Sequence, residues 1–284
     1  MTQADRPGGM RAAVQETYGP ADLSAAPVFA GGFINFGYWR PEDLDGPPSV
    51  DDRIRSQEDL YRRVLGTAGP LAGGQLLEVG CGLGMGCALA LEEYGPARVT
   101  GMDIHPQQLE RARRANAHLL TGVGAGAGAG SGDGAERLRL VRGAAEDMPF
   151  ADAEFDCVYS VEAAQHFDDL ARFAAETARV LRPGGRAAVT SFFTPEPEAA
   201  PRLAELLDTF ADGLDIARTP AELTDALARS GMTGVRCESI GPSVWPGWDH
   251  WLSAQWKPGT WPRNFLHAWE QGLLDYYVIT ATRR

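Results

Sequence analysis

From residue 75 to residue 192, short apolar runs alternate with amphipathic stretches, and this alternation restricts the fold more than any other feature of the chain. The runs 76–79, 98–102, 138–142, 155–160 and 186–192 read as strands. The stretches 85–94, 106–120 and 170–181 between them read as helices. Strands joined through helices cannot pair as hairpins. They form a parallel sheet covered on both faces, an α/β architecture. Further on, 201–210 and 220–230 read as helices, and 235–240 and 276–282 as a sixth and a seventh strand. Upstream, 11–18 reads as a short helix ended by Gly19-Pro20. A second helix over 51–67 carries Ile54, Leu60, Tyr61, Val64 and Leu65. The organisation expected is an N-terminal helical lid over 1–70, a ligand-binding core over 71–192, and acceptor-side helices with the last strands over 193–284. The stretch 122–134 is low-complexity Gly and Ala and reads as a solvent loop without chemistry.

The first strand runs into Gly80-Cys81-Gly82-Leu83-Gly84-Met85-Gly86. Glycines at a strand end let the backbone turn sharply and approach a ligand. The helix behind them offers free N–H groups to an anionic group. The dinucleotide pattern G-x-G-x-x-G is not met: counted from Gly80 its third glycine falls on Met85, and from Gly82 on Cys87. Asp103 ends the second strand, roughly twenty residues on, where a carboxylate can accept both hydroxyls of a ribose.

Net charge is −12, an acidic balance that repels phosphate backbones, so nucleic acid is not the expected partner. Hydrophobic residues make up 44% and charged residues 23%, and no apolar run approaches the roughly 18–20 residues of a membrane span. The polar start of the chain lacks a secretory signal, so a cytoplasmic location is expected. Cys81, Cys87, Cys157 and Cys237 form no C-x-x-C, and no histidine pair has ligand spacing, so no metal site is expected.

These segments together resemble the class I S-adenosylmethionine-dependent methyltransferases, closest to the small-molecule branch of sterol, tocopherol and natural-product enzymes. The resemblance spans about residues 33–192. It runs through E-V-G-C-G-L-G, D-I-H-P-Q-Q-L, A-E-D-M-P-F, F-D-C-V-Y-S-V-E-A-A-Q-H-F and R-V-L-R-P-G-G-R. It implies a Rossmann-like seven-stranded sheet with helices on both faces, an insertion after the fifth strand, and S-adenosyl-L-methionine as cofactor. By this resemblance Gly80, Cys81, Gly82 and Gly84 line the methionine and ribose part, and Glu78 holds the methionine amino group through water. Asp103 binds the ribose, Ile104 packs on adenine with Gln108 near it, Ala145 and Glu146 meet the adenine edge, and the Val161 backbone lies beside the cofactor. Where the family often has Asp before the Ala-Glu pair, this chain has Ala144, so Glu146, Asp147 or a backbone carbonyl must take the adenine amino group.

Glu162 and His166 follow the fourth strand, four residues apart, and would share a face if the chain there is helical. An imidazole, with its usual pKa near about 6.5, suits deprotonation of a hydroxyl or phenol. The alternatives are a histidine bonded to backbone and a carboxylate that holds the N-terminal lid. The segment Phe33-Ile34-Asn35-Phe36-Gly37-Tyr38-Trp39 resembles lid segments of the branch, with Tyr38 toward the methionine carboxylate or the acceptor. Six tryptophans from Trp245 to Trp269 suit an apolar pocket or a homo-oligomer interface equally. The expected activity is O- or C-methylation of an apolar small molecule in bacterial secondary metabolism. The alternatives are alkene methylation coupled to ring closure, or a cyclase that keeps the cofactor structurally.

Overall fold

The computed structural model describes residues 10–20, 23–120 and 136–284. The loop expected over 122–134 lies outside them. A seven-stranded sheet carries the core: β1 (Gln75–Val79), β2 (Arg98–Asp103), β3 (Leu138–Arg142), β4 (Phe155–Val161), β5 (Leu181–Phe193), β6 (Met232–Ser239) and β7 (Asp275–Arg283), in the order β3-β2-β1-β4-β5-β7-β6. The first five strands pair in parallel, and β7 is antiparallel to both β5 and β6. The parallel pairing read from the alternation holds through β5, and the antiparallel β7 makes the whole sheet a mixed one. β7 slots between β5 and β6, and its near-continuous apolar run gives no sign of direction.

The helices are α1 (Ala12–Tyr18), α2 (Val50–Leu65), α3 (Met85–Glu93), α4 (Pro106–Ala115), α5 (Ala117–Leu120), α6 (Leu170–Val180), α7 (Ala200–Leu206), α8 (Asp208–Ala211), α9 (Pro220–Arg229), α10 (Trp245–Ser253) and α11 (Asn264–Glu270). The helix expected over 106–120 is broken at Asn116, whose amide donates to the carbonyls of Leu83 and Ala112 and ties the break to the glycine loop. The helix expected over 201–210 likewise breaks at Leu207, whose backbone is extended. Among the described residues no helix is long and apolar enough to cross a membrane.

The strand order reverses between β1 and β4, and in sheets of this kind the ligand crevice opens at that point, beyond the carboxyl ends of the strands. Two core clusters lie on the faces of the sheet. One joins α2, α3 and the tryptophan-rich α10, and the other joins α6, α9 and the far face of β4 and β5.

Candidate functional site

A cleft of about 1030 Å³, counting its mouth, opens at the switch point. Val79, Gly80, Cys81 and Gly82 from the end of β1, Asp103 and Ile104 from β2, and Val161 and Glu162 from β4 line its floor. Gln108, Ala145, Glu146 and His166 also line it. Residues from α1 and the segment after it, including Met10, Val14, Tyr18, Phe33 and Ile34, form the opposite wall.

The glycine loop is shaped by two close approaches. A Cβ on Gly80, at φ +78°, would sit 2.4 Å from Cβ of Ala163, so only glycine lets the ends of β1 and β4 meet here. On Gly86 a Cβ would fall 2.0 Å from the Tyr61 ring. The ring packs against α3 at this glycine, and its hydroxyl donates to Oε1 of Glu78 at 2.9 Å. In front of Gly82 there is open space, with nothing within 4 Å of an added Cβ. Gly84 does not line the cleft; it caps α3 in the left-handed region and donates its N–H to the Cys81 carbonyl.

Asp103 accepts the Gly82 N–H at 2.9 Å and the His105 N–H at 2.8 Å. Burial pushes its carboxyl above the usual range, with these two N–H bonds opposing. It is held rigidly in the cleft wall with lone pairs to spare, which suits a diol. Glu146 accepts the Asp168 N–H at 2.9 Å and is also raised by burial. Asp147 is exposed and does not line the cleft, so of the two side chains considered opposite adenine only Glu146 is in place.

Two more expected residues are elsewhere. Glu78 is fully buried behind the cleft and accepts from Tyr61, Tyr159 and the Cys87 thiol. Burial raises its pKa to about 7, and it reaches the cleft only through Tyr61. Tyr38 does not line the cleft either: its N–H donates to the Ser56 carbonyl, and its ring packs on the core beside α2. The tyrosines in the wall are Tyr18 and Tyr61. Nor do the tryptophans line the cleft. Trp245, Trp248 and Trp251 are buried in the core around Phe36, which contacts both Trp245 and Trp248.

The chain after β4 is not the α-helix that would stack Glu162 on His166. Glu162 has φ +52°, and a single 3-10 turn spans Ala164–His166. The two side chains therefore diverge. Glu162 Oε2 accepts the Phe36 N–H at 2.8 Å and the Tyr276 hydroxyl at 2.6 Å, so this carboxylate holds the N-terminal segment. Burial raises its pKa to about 8 against the lowering effect of these bonds and of Arg53. An acid whose pKa rises on folding stabilises the fold fully below its unfolded value, about 4.5. That contribution is lost as pH rises toward about 8, by at most about 1.4 kcal/mol per pH unit. Melting of the ligand-free protein should therefore fall in temperature from pH 5 to pH 8, and Glu162→Gln, an isostere of the protonated form, should flatten that slope. An equally steep slope in the variant would place the proton elsewhere.

His166 is held from two sides. Its Nδ1 lies 3.0 Å from the Leu214 carbonyl and 3.2 Å from Oδ1 of the buried Asp215. Both partners are acceptors, so Nδ1 carries the hydrogen and Nε2 keeps its lone pair. The Tyr18 hydroxyl, 3.0 Å away, donates to that lone pair. A carboxylate, an imidazole of fixed tautomer and a cleft-facing nitrogen form the arrangement of a general base. Asp215 was not legible as part of it, because it arrives from the loop after α8, 49 positions along the chain.

Arg53, on α2, is fully buried and donates to the carbonyls of Val28, Asn35 and Phe36. Its guanidinium carbon lies 5.1 Å from the Trp248 ring centre and 5.7 Å from that of Trp39. Arg11 clips the other end of the wall, donating to the His166 and Leu214 carbonyls and pairing with Asp168.

Residues 77–189 match the family described as methyltransferase domain. Over 235 residues the chain is 29% identical to the erythromycin 3''-O-methyltransferase of Saccharopolyspora erythraea, covering 78% of this chain and 69% of that protein. Over 154 residues it is 36% identical to the phthiotriol/phenolphthiotriol dimycocerosates methyltransferase of Mycobacterium tuberculosis, covering 54% of this chain and 50% of that protein. The fold is also that of a geranyl diphosphate methyltransferase solved in complex with SAM, with a TM-score of 0.72 at 19% identity over 88% of this chain and 98% of that one.

Proposed function

We propose that this chain, which belongs to the class I S-adenosylmethionine-dependent methyltransferases, moves a methyl group to a hydroxyl oxygen of a small, largely apolar molecule of bacterial secondary metabolism. The observation that carries the choice of oxygen is the His166 nitrogen held as an acceptor by Asp215 and Leu214. A hydroxyl must lose a proton as it attacks, and this nitrogen is placed to take it. The apolar wall from Met10, Val14, Phe33, Ile34 and Phe167 suits an apolar acceptor. Arg11, the cation of the wall, is already paired with Asp168, which suits an uncharged one.

S-adenosylmethionine, when bound, supplies a methyl group already activated on a sulfonium. The residues that fit it are Asp103 for the ribose hydroxyls, Gly80 to Gly82 for backbone approach along the methionine part, and Ile104, Ala145 and Glu146 around adenine. The buried Asp103 carboxyl and the open space before Gly82 are the observations that support this placement. Tyr61, backed by Glu78, takes the position the resemblance gave to Glu78 itself. The N-terminal segment, tied down by Glu162, Arg53 and Arg11, covers the cleft and keeps water from the reacting atoms.

Alkene methylation fits the site less well. A carbocation would be stabilised by aromatic faces with a carboxylate such as Glu162, and burial, which pushes that carboxyl up to about 8, disfavours its charged form. With a cofactor labelled in its methyl carbon, the product should carry the label as a methoxyl group by carbon NMR. A C-methyl product, or ring closure with the cofactor unchanged, would overturn the reading.

A further inference from the structure

We propose that the Tyr18 hydroxyl is a catalytic group: it takes the proton of the acceptor hydroxyl and passes its own to Nε2 of His166. This rests on the reading of His166 as the base. The phenol lies 3.0 Å from Nε2, with its ring edge-on to the imidazole at 5.6 Å between centroids. The neutral imidazole has one acceptor nitrogen, and the Tyr18 hydroxyl and the Gln165 amide, 3.3 Å away, already converge on it. An acceptor hydroxyl meets the base directly only if Tyr18 moves away.

The backbone argues that Tyr18 stays. Arg111 donates to the carbonyls of both Tyr18 and Gly19 at 2.8 Å. At the other end of α1, Arg11 is fastened to the loop that carries His166. The phenol is thus fixed between the base and the cleft, which it lines, with an oxygen lone pair free to receive a second proton. Burial, with the carboxylates of Asp215, Glu162 and Asp103, raises its pKa far above that of an ordinary phenol. A phenolate is therefore disfavoured there, so Tyr18 gives its proton to Nε2 only as it receives the acceptor's.

The step balances as follows. The acceptor O–H bond breaks and its proton goes to the Tyr18 oxygen, while the Tyr18 O–H proton goes to Nε2. The acceptor oxygen forms its bond to the methyl carbon as the carbon–sulfur bond breaks, and that electron pair stays on sulfur as a neutral thioether. The positive charge ends on His166, beside the Asp215 carboxylate. Tyr18 is restored in the same step.

The test uses the full chain with S-adenosylmethionine and a panel of neutral alcohols and phenols (1-decanol, 4-nonylphenol, octyl glucoside), reading release of S-adenosylhomocysteine with the best acceptor. Tyr18→Phe, His166→Gln and the double variant are compared, with S-adenosylhomocysteine calorimetry as the check on folding. A relay predicts that Tyr18→Phe lowers kcat at least about 30-fold with little change in KM, and that the double variant is about as slow as the slower single one, as for residues acting as a unit. Wild-type or faster turnover in Tyr18→Phe makes the ring a plug and overturns the proposal, as do a change in KM alone and losses that multiply. His166→Gln at the wild-type rate beside a slow Tyr18→Phe would instead overturn the histidine base. If Tyr18→Phe does not fold, 3-fluorotyrosine at position 18 keeps the shape and changes only the acidity of the phenol. A relay then shows an altered kcat, and an unaltered one refutes it.

Discussion

His166→Ala is expected to lower turnover by about 10²–10⁴-fold while leaving affinity for S-adenosylhomocysteine within a factor of about three. The loss follows from what Nε2 supplies. Without it, the proton of the acceptor loses the base proposed for it: Glu162 is engaged by Phe36 and Tyr276, Glu78 lies behind Tyr61, and Asp103 and Glu146 are assigned to the cofactor. The cofactor contacts proposed for Asp103 and the glycine loop do not pass through His166, so binding and chemistry should separate. Asp215→Asn provides an internal control. The Leu214 carbonyl still holds the Nδ1 hydrogen in that variant, so the tautomer survives and only the charge behind the imidazolium is lost. A drop of about 10–10²-fold is expected there, smaller than for His166→Ala. Stopped-flow or endpoint assays over a range of acceptor concentrations give kcat and KM separately. Turnover near wild type in His166→Ala would mean that positioning of the acceptor does the work alone. A parallel loss of S-adenosylhomocysteine affinity would mean that His166 shapes the cofactor site.

Arg53→Met should destabilise the protein by about 3–5 kcal/mol, the cost of losing three hydrogen bonds from a buried charged donor, one of which leaves the Asn35 carbonyl without a donor. The guanidinium binds Val28, Asn35 and Phe36 at once and sits among Phe29, Trp39 and Trp248. Methionine fills the volume but donates to none of them: Val28 and Phe36 keep the indole N–H groups of Trp251 and Trp39, while the Asn35 carbonyl loses its donor and the segment around it loosens. Arg53→Lys should recover only part, because an ammonium cannot present the planar fork of donors. Hydrogen exchange should localise the damage, with faster exchange over 28–39 and unchanged protection in β1 and β2. A loss below about 1 kcal/mol by denaturant titration would show that the aromatic packing, not the guanidinium, fastens this segment.

Much of this molecule is written in short-range signals. The strand-helix alternation, the glycine loop and Asp103 depend on local periodicity and on spacing along one βαβ unit, so the sheet up to β5 and the floor of the cleft are legible from residues alone. The Ala144 departure is legible too, but what stands in for it is not. Glu146 and Asp147 are adjacent in sequence, and only the turn that sends one into the cleft and the other to the surface separates them. The direction of β7 is equally silent, because the side chains of a strand alternate in the same way whichever direction it pairs.

The wall of the cleft depends on contacts between distant segments. Tyr18 meets His166 across 148 positions, and Arg11 meets the Leu214 carbonyl across 203. No motif links such residues, since their chemistry arises only once α1 lies over the end of β4. One local signal was available: Arg53, Ser56, Gln57, Leu60, Tyr61 and Val64 fall at helical spacing on one face of α2, and all six are buried. A charged residue on an otherwise core-facing stripe marks a buried polar task. The tryptophans show the reverse case. Their composition suggested a ligand pocket or an interface, and tertiary packing uses Trp245, Trp248 and Trp251 in the core to grip Phe36 and the N-terminal segment, away from the cleft. The sequence by itself determined the sheet as far as β5 and the cofactor chemistry, because both reside in neighbours along the chain. Only the tertiary structure decided that His166 is held with Nδ1 toward Leu214 and Asp215, that Glu162 is a tether and that Arg53 is the clamp. Each of those roles is set by partners that the folded backbone brings within about 3 Å.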